Sequence, residues 1–383
     1  MIITRRHALT LAASFGALTV APHMLLARVP SDRRFVFVIQ RGAADGLNIV
    51  VPTADPAYAV LRGPLAIEPA SAIKLDGSFA LHPAMVETGK LFALKQAAFV
   101  HAIASPYRER SHFDGQNVLE SGGAQPYAIK DGWLNRLVTL MPRSAADPVA
   151  LAPTVPLALR GPAPVTSYAP SNLPQATDDL LARVTRLYAG DTQLHTLWSA
   201  AMEARGVADA NEPGRDPTSV GKLAASFLSR PDGARIAMIE TGGWDTHSGQ
   251  NGRLAASLKG LDAMIAGLRD GMGTAWQDTV VLVATEFGRT AAANGTGGTD
   301  HGTASVAMLM GGAVAGGRVV ADWPGLSASA LYEGRDLKAT TSLWSLFAGV
   351  AADCFGLNPD RVTDALYSDN GRTSALSELV YRV

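Results

Sequence analysis

At 383 residues, 47% hydrophobic and 17% charged, the chain is long enough for one large α/β domain or two ordinary ones, with ample apolar residue for a core. A formal charge of −1, with both signs interspersed, excludes the basic footprint of a nucleic-acid binder. Cys354 is the single cysteine, which excludes an intrachain disulfide and a thiolate metal cluster.

The N-terminus reads as a targeting segment. "ITRRHALTLAASFGALTVAPHMLLA" joins the pair Arg5 and Arg6 to a mildly apolar run ending at Ala27. That layout predicts a twin-arginine export signal over residues 1–27, with a plain secretory signal or an uncleaved anchor as the alternatives. Leu25 is a poor small residue for the cleavage site. The expected partner is the twin-arginine export machinery, which passes folded substrates, so a metal could be loaded before export. No later apolar run is long enough and free enough of charge and glycine to span a bilayer. The expected location is periplasmic or extracellular.

In chain order, "FVFVIQ" (35–40) reads as a buried strand and "HPAMVETGKLFALKQ" (82–96) as a helix. "AAFVHAI" (97–103) is a second strand, followed by a helix opening at Ser111. Residues 143–175 are rich in proline and alanine and predict irregular structure with a hairpin. Helical patterns follow over 177–205 and near 218–229. "RIAMIE" (235–240), a helix over 251–272, "TVVLVAT" (279–285) and "SVAMLMG" (305–311) complete the series. The strand runs lack strict alternation, as strands covered on both faces do. Alternation of strand and helix predicts an α/β fold: one mainly parallel sheet with helices on both faces. Residues 28–383 are read as a single domain, with 143–230 an insertion or cap.

Ligands of open α/β sheets bind beyond the carboxyl ends of the strands. The first strand is followed by Arg41 and Asp45, the second by Arg108, Arg110, Ser111 and His112. Asp245 and His247 follow "RIAMIE", and Glu286 and Arg289 follow "TVVLVAT". Asp300 and His301 precede the strand over 305–311. Each has an ordinary reading alone: Asp45–Gly46 is a common turn pair, Ser111 with Asp114 fits a capping box, and Asp-x-His is a weak metal signal. Together they are less ordinary, because carboxylates in apolar, glycine-rich surroundings need compensation. A divalent cation supplies it, and carboxylate mixed with imidazole suits zinc, manganese or iron better than calcium. The donors suffice for one or two ions.

"RGAADGLNIVVP", "RSHFDGQNVLESG", "DGWLNRL", "GGWDTH", "ATEFGRTAAANGTGGTDHG" and "GGRVVADWPGL" together resemble the exported bacterial family catalogued as domain of unknown function 1501. The resemblance covers nearly all of the chain after the signal. It implies membership of the alkaline phosphatase and sulfatase superfamily, an alkaline phosphatase-like fold and a metal-assisted hydrolytic site. On this resemblance the metal ligands are Asp45, Asp245, His247, Glu286 and His301, with Asp300 added. Ser111 takes the nucleophile's place. Phe287 stands where such proteins show a histidine, a departure that puts a second metal in doubt. The catalytic candidates are Ser111, His112, Arg108 and Arg289; the arginines would hold nonbridging oxygens of an anionic ester. The expected function is an exported metal-dependent hydrolase of phosphate or sulfate esters, substrate unknown. Two alternatives stay open: a non-catalytic exported binding or assembly protein with a structural metal, and an unrelated metal-dependent hydrolase acting on another bond.

Overall fold

A computed structural model describes residues 32–141, 147–169, 178–209, 216–367 and 374–382. The export signal expected over 1–27 lies outside the described residues.

Twelve strands are described: β1 (Arg34–Gln40), β2 (Val50–Val51), β3 (Ile73–Lys74), β4 (Ala80–Leu81), β5 (Ala97–Ala104), β6 (Val149–Leu151), β7 (Thr166–Ser167), β8 (Ile236–Thr241), β9 (Thr279–Thr285), β10 (Ser305–Met310), β11 (Arg318–Val320) and β12 (Thr341–Ser342). Nine form the main sheet in the order β11-β5-β10-β9-β1-β8-β6-β7, with β12 also paired to β5. β2, β4 and β3 make a small antiparallel sheet. All five apolar runs read as strands are strands here.

β1 shows why the runs lack alternation. All seven of its residues are buried. Phe35, Phe37 and Ile39 enter one core layer, against the helices Trp133–Leu140 and Leu343–Phe355. Val36 and Val38 enter the opposite layer, against the helices Pro217–Leu228 and Gln250–Met272. A strand covered on both faces has no polar side to show.

The sheet is mainly parallel, as expected. β10 is antiparallel to both β9 and β5, however, while β8, β9 and β1 run together. That reversal positions the site. It brings the start of β10 to the same edge as the ends of β1, β5, β8 and β9, so the loop before β10 joins the loops that follow the others.

Two elements differ from expectation. Among the described residues the proline-rich stretch forms no hairpin: β6 and β7 pair in parallel, and β6 extends the main sheet beside β8. The helical pattern over 177–205 is two helices, Asp178–Tyr188 and Thr192–Asp209. Asp191 accounts for the break, its Oδ1 accepting the N–H groups of Gln193 and Leu194 at 2.9 Å each, an N-cap for the second helix. Among the described residues no helix is long and apolar enough to cross a membrane.

Candidate metal centre

Three imidazoles and one carboxylate meet at the carboxyl edge of the sheet. Asp245 and His247 come from the loop after β8, His301 from the loop before β10, and His112 from the first position of the helix His112–Ser121. His247 Nε2 lies 3.0 Å from both Asp245 Oδ1 and His301 Nε2. His301 Nε2 is 3.3 Å from Asp245 Oδ1, and His112 Nε2 is 3.5 Å from Asp245 Oδ2. One donor atom each from His112, Asp245 and His301 falls within a mutual 4.8 Å.

The opposite nitrogen of each ring is anchored. His112 Nδ1 meets Glu286 Oε1 at 2.9 Å, His247 Nδ1 meets Asp300 Oδ1 at 3.1 Å, and His301 Nδ1 meets the Arg110 carbonyl at 3.0 Å. A carbonyl or carboxylate accepts only, so each Nδ1 is the donor and each Nε2 of a neutral ring is left with its lone pair. Those lone pairs face one another and a carboxylate. His112 Nε2 is buried and has no hydrogen-bond partner among the described residues. Lone pairs directed at a common point repel unless a cation stands between them. Imidazoles with the second nitrogen tied to an oxygen are the usual arrangement of histidine metal ligands. The donors therefore fit a divalent cation.

Local chemistry explains how the centre is held. Glu286 is fully buried, and its Oε1 also accepts from the Gly42 N–H at 2.8 Å and Gln116 Nε2 at 3.2 Å. The Glu286 bond, followed by charge attraction, holds the His112 pKa above the ordinary histidine value despite burial. Burial, with the positive charges of His112 and Arg289, lowers that of His301. Burial works against ionisation of Asp245, but the Arg289 bond together with the charges of Arg289, His247 and His112 outweighs it and its pKa is lowered. Phe287 stacks on His112 with centroids 5.2 Å apart and touches His301 at 5.4 Å, an apolar wall in place of a ligand. Gly42 adopts φ +122°, and a Cβ there would lie 2.7 Å from the Asp245 nitrogen, so only glycine lets the loop after β1 approach this closely.

The expected residues divide into three groups. Asp245, His247 and His301 converge, joined by His112, which was expected among the catalytic residues and not among the ligands. Glu286 and Asp300 stand behind the imidazoles of His112 and His247. Asp45 lies apart: Arg62, itself fully buried, donates to its Oδ2 at 2.6 Å and its Oδ1 at 2.9 Å, and Gln250 donates to Oδ2 at 2.5 Å. The arginines do not line up as anion holders at this centre. Arg289 is buried and donates to Asp245 Oδ1 at 2.7 Å, with Nε on Thr299 Oγ1 at 3.2 Å. Arg110 pairs with Asp336 and Glu333 and gives the centre only its carbonyl. Arg108 turns to the carbonyls of Ser105 and Tyr107. Ser111 is the N-cap position of the helix but makes no side-chain cap bond, so the expected capping box is not formed; its N–H donates to Tyr107 Oη at 3.2 Å.

Sequence reasoning missed Gln116, Tyr107 and Asn294, whose Nδ2 donates to Asp300 Oδ1 at 3.1 Å. Gln116 follows His112 by one helical turn, the one signal that could have placed it beside Glu286.

Fold and site together define an α/β protein with a three-histidine, one-aspartate candidate cation centre at the carboxyl edge of its sheet. The chain belongs to the family described as "Protein of unknown function (DUF1501)", whose model matches residues 32–366. A phosphonate monoester hydrolase of Agrobacterium radiobacter is a structural neighbour at 12% sequence identity and a TM-score of 0.32, with 89% of this chain and 79% of that chain covered. Among curated proteins no significant match is found.

Proposed function

We propose that this chain is an exported metal-dependent hydrolase of phosphate or sulfate esters. One observation carries the metal part: three imidazoles tethered through Nδ1 present Nε2 to the Asp245 carboxylate. His112, His247, His301 and Asp245 would hold a single cation; four donors of this mixture suit zinc or manganese. Glu286 and Asp300 are committed to orienting the imidazoles and are not counted as ligands of a second ion. When bound, the cation supplies Lewis acidity toward an anionic ester oxygen.

The protein's own residues divide the remaining work. Glu286 keeps His112 in one tautomer, and Asp300 and the Arg110 carbonyl do so for His247 and His301. Arg289 fixes the rotamer of Asp245 and offsets part of its charge. Ser111 immediately precedes His112, and its hydroxyl meets the Tyr107 hydroxyl instead of capping the helix; in this reading it is the nucleophile. Positive potential at the start of that ten-residue helix would favour an anionic ester there. Export rests on the Arg5–Arg6 pair and the apolar run behind it.

A non-catalytic exported binding or assembly protein is the second reading. It is favoured by Phe287, which closes one side of the centre with an aromatic ring. Turnover separates the two. Protein recovered after export with its own signal is assayed on phosphate and sulfate esters, alongside Ser111→Ala. Ester hydrolysis that is lost in Ser111→Ala with the metal retained supports the hydrolase. Metal without turnover on either ester class supports the binding protein. Retention of Arg5→Lys/Arg6→Lys protein in the cytoplasm is the expected result for the export route.

A further inference from the structure

A cavity of about 470 Å³, apart from the histidine centre, opens where β5 and β12 end side by side. Its wall is the loop after β5 on one side and the start of the helix Leu343–Phe355 on the other. None of its lining residues belongs to the histidine centre, and none is a carboxylate.

The lining is rich in donors without acceptors. Arg108 commits Nη1 to the carbonyls of Ser105 and Tyr107, and its Nε and Nη2 have no partner among the described residues. Burial holds its pKa below the ordinary arginine value, as for a cation short of counter-charge. Trp344, another wall, is 2% exposed, and its indole N–H has no partner among the described residues. An indole nitrogen only donates, so this one stands without an acceptor beside the cavity wall. Ser342 caps the 13-residue helix by accepting from the Trp344 N–H at 3.2 Å, which leaves its hydroxyl hydrogen to donate. The hydroxyls of Thr340 and Thr341 add donors with no hydrogen bond among the described residues. A helix N-terminus, an arginine and a buried indole N–H around one cavity favour negative charge.

From this arrangement we infer a binding site for a small organic oxyanion, a carboxylate or phosphate group on a compact body. The volume is that of a small-molecule site and exceeds the need of a bare inorganic ion. Because the site shares no residue with the histidine centre, it stands whether or not that centre turns over an ester.

Calorimetric titration of the folded protein with phenyl phosphate and with benzoate tests the assignment. Saturable binding of either anion is expected, about tenfold weaker in Arg108→Gln and in Trp344→Phe, each of which removes one donor. Asp245→Ala, which disables the proposed ester centre, should keep this Arg108-dependent component of binding even where a second component is lost. Should Trp344→Phe not fold, Arg108→Gln carries the test, since its side chain bonds only to its own loop. Absence of saturable binding, or binding lost in Asp245→Ala and unchanged in Arg108→Gln, overturns the site.

Discussion

Whether a carboxylate ligates or supports is decided by which donors reach it first. Asp45 and Asp245 both follow buried strands and look alike in the sequence. Arg62, seventeen residues on, takes both oxygens of Asp45 in a buried bidentate pair, a partnership that depends on tertiary folding and that no spacing rule reveals. Asp245 was legible because His247 lies two residues away and marks it. Glu286, read from the sequence as a ligand, has its side chain turned back beneath the loop after β1, where the Gly42 N–H and Gln116 hold it behind His112. Its proposed role is measurable. Glu286→Gln leaves a hydrogen-bond acceptor for His112 without the charge, and removal of such an outer partner costs about 10–100-fold in metal affinity. Zinc titration of the variant should show a loss in that range with the fold intact; an unchanged affinity would remove Glu286 from the centre.

At the level of elements, strands were the most legible part of the chain. Their apolar runs report burial on both faces, and burial on both faces is what a central strand in a three-layer fold requires. β6 and β7 were not legible as sheet strands, because three and two residues in a proline-rich stretch carry no periodicity. Neither was the direction of β10, which depends on its neighbours and not on its own residues. Its antiparallel course is what turns "TGGTDHG" toward "GGWDTH". The two loops after β1 and β8 touch at Gly42, so the geometry of that contact is open to test. Gly42→Ala forces a Cβ against the Asp245 backbone at a positive φ. A stability loss of about 1–3 kcal/mol is expected. The same variant should also lose cation affinity, because Asp245 must shift. Full stability with full affinity in a denaturant and zinc titration would count against so close an approach of the two loops.

For the whole molecule, two histidines away from the centre couple stability to pH. His101 is fully buried in β5, with Nε2 2.8 Å from the Val50 carbonyl and its ring against Phe79 and Trp323. Burial pulls its pKa down to about 4, and that of His82 likewise to about 4. Both are then neutral when folded and protonated when unfolded between pH 6.5 and about 4. Their contribution is complete above pH 6.5 and is lost as pH falls through that window. His101→Gln should make the fall of unfolding free energy shallower by about 1.4 kcal/mol per pH unit there, read from urea melts. An unchanged slope would mean that His101 ionises in the folded chain.

The central claim is that His112, His247, His301 and Asp245 form one cation site, and a zinc titration of metal-stripped protein tests it most directly. The account predicts binding of about one equivalent, abolished in His247→Ala and in Asp245→Ala. Failure of the wild type to bind zinc or manganese under folding conditions would contradict it, as would full retention of binding in both variants.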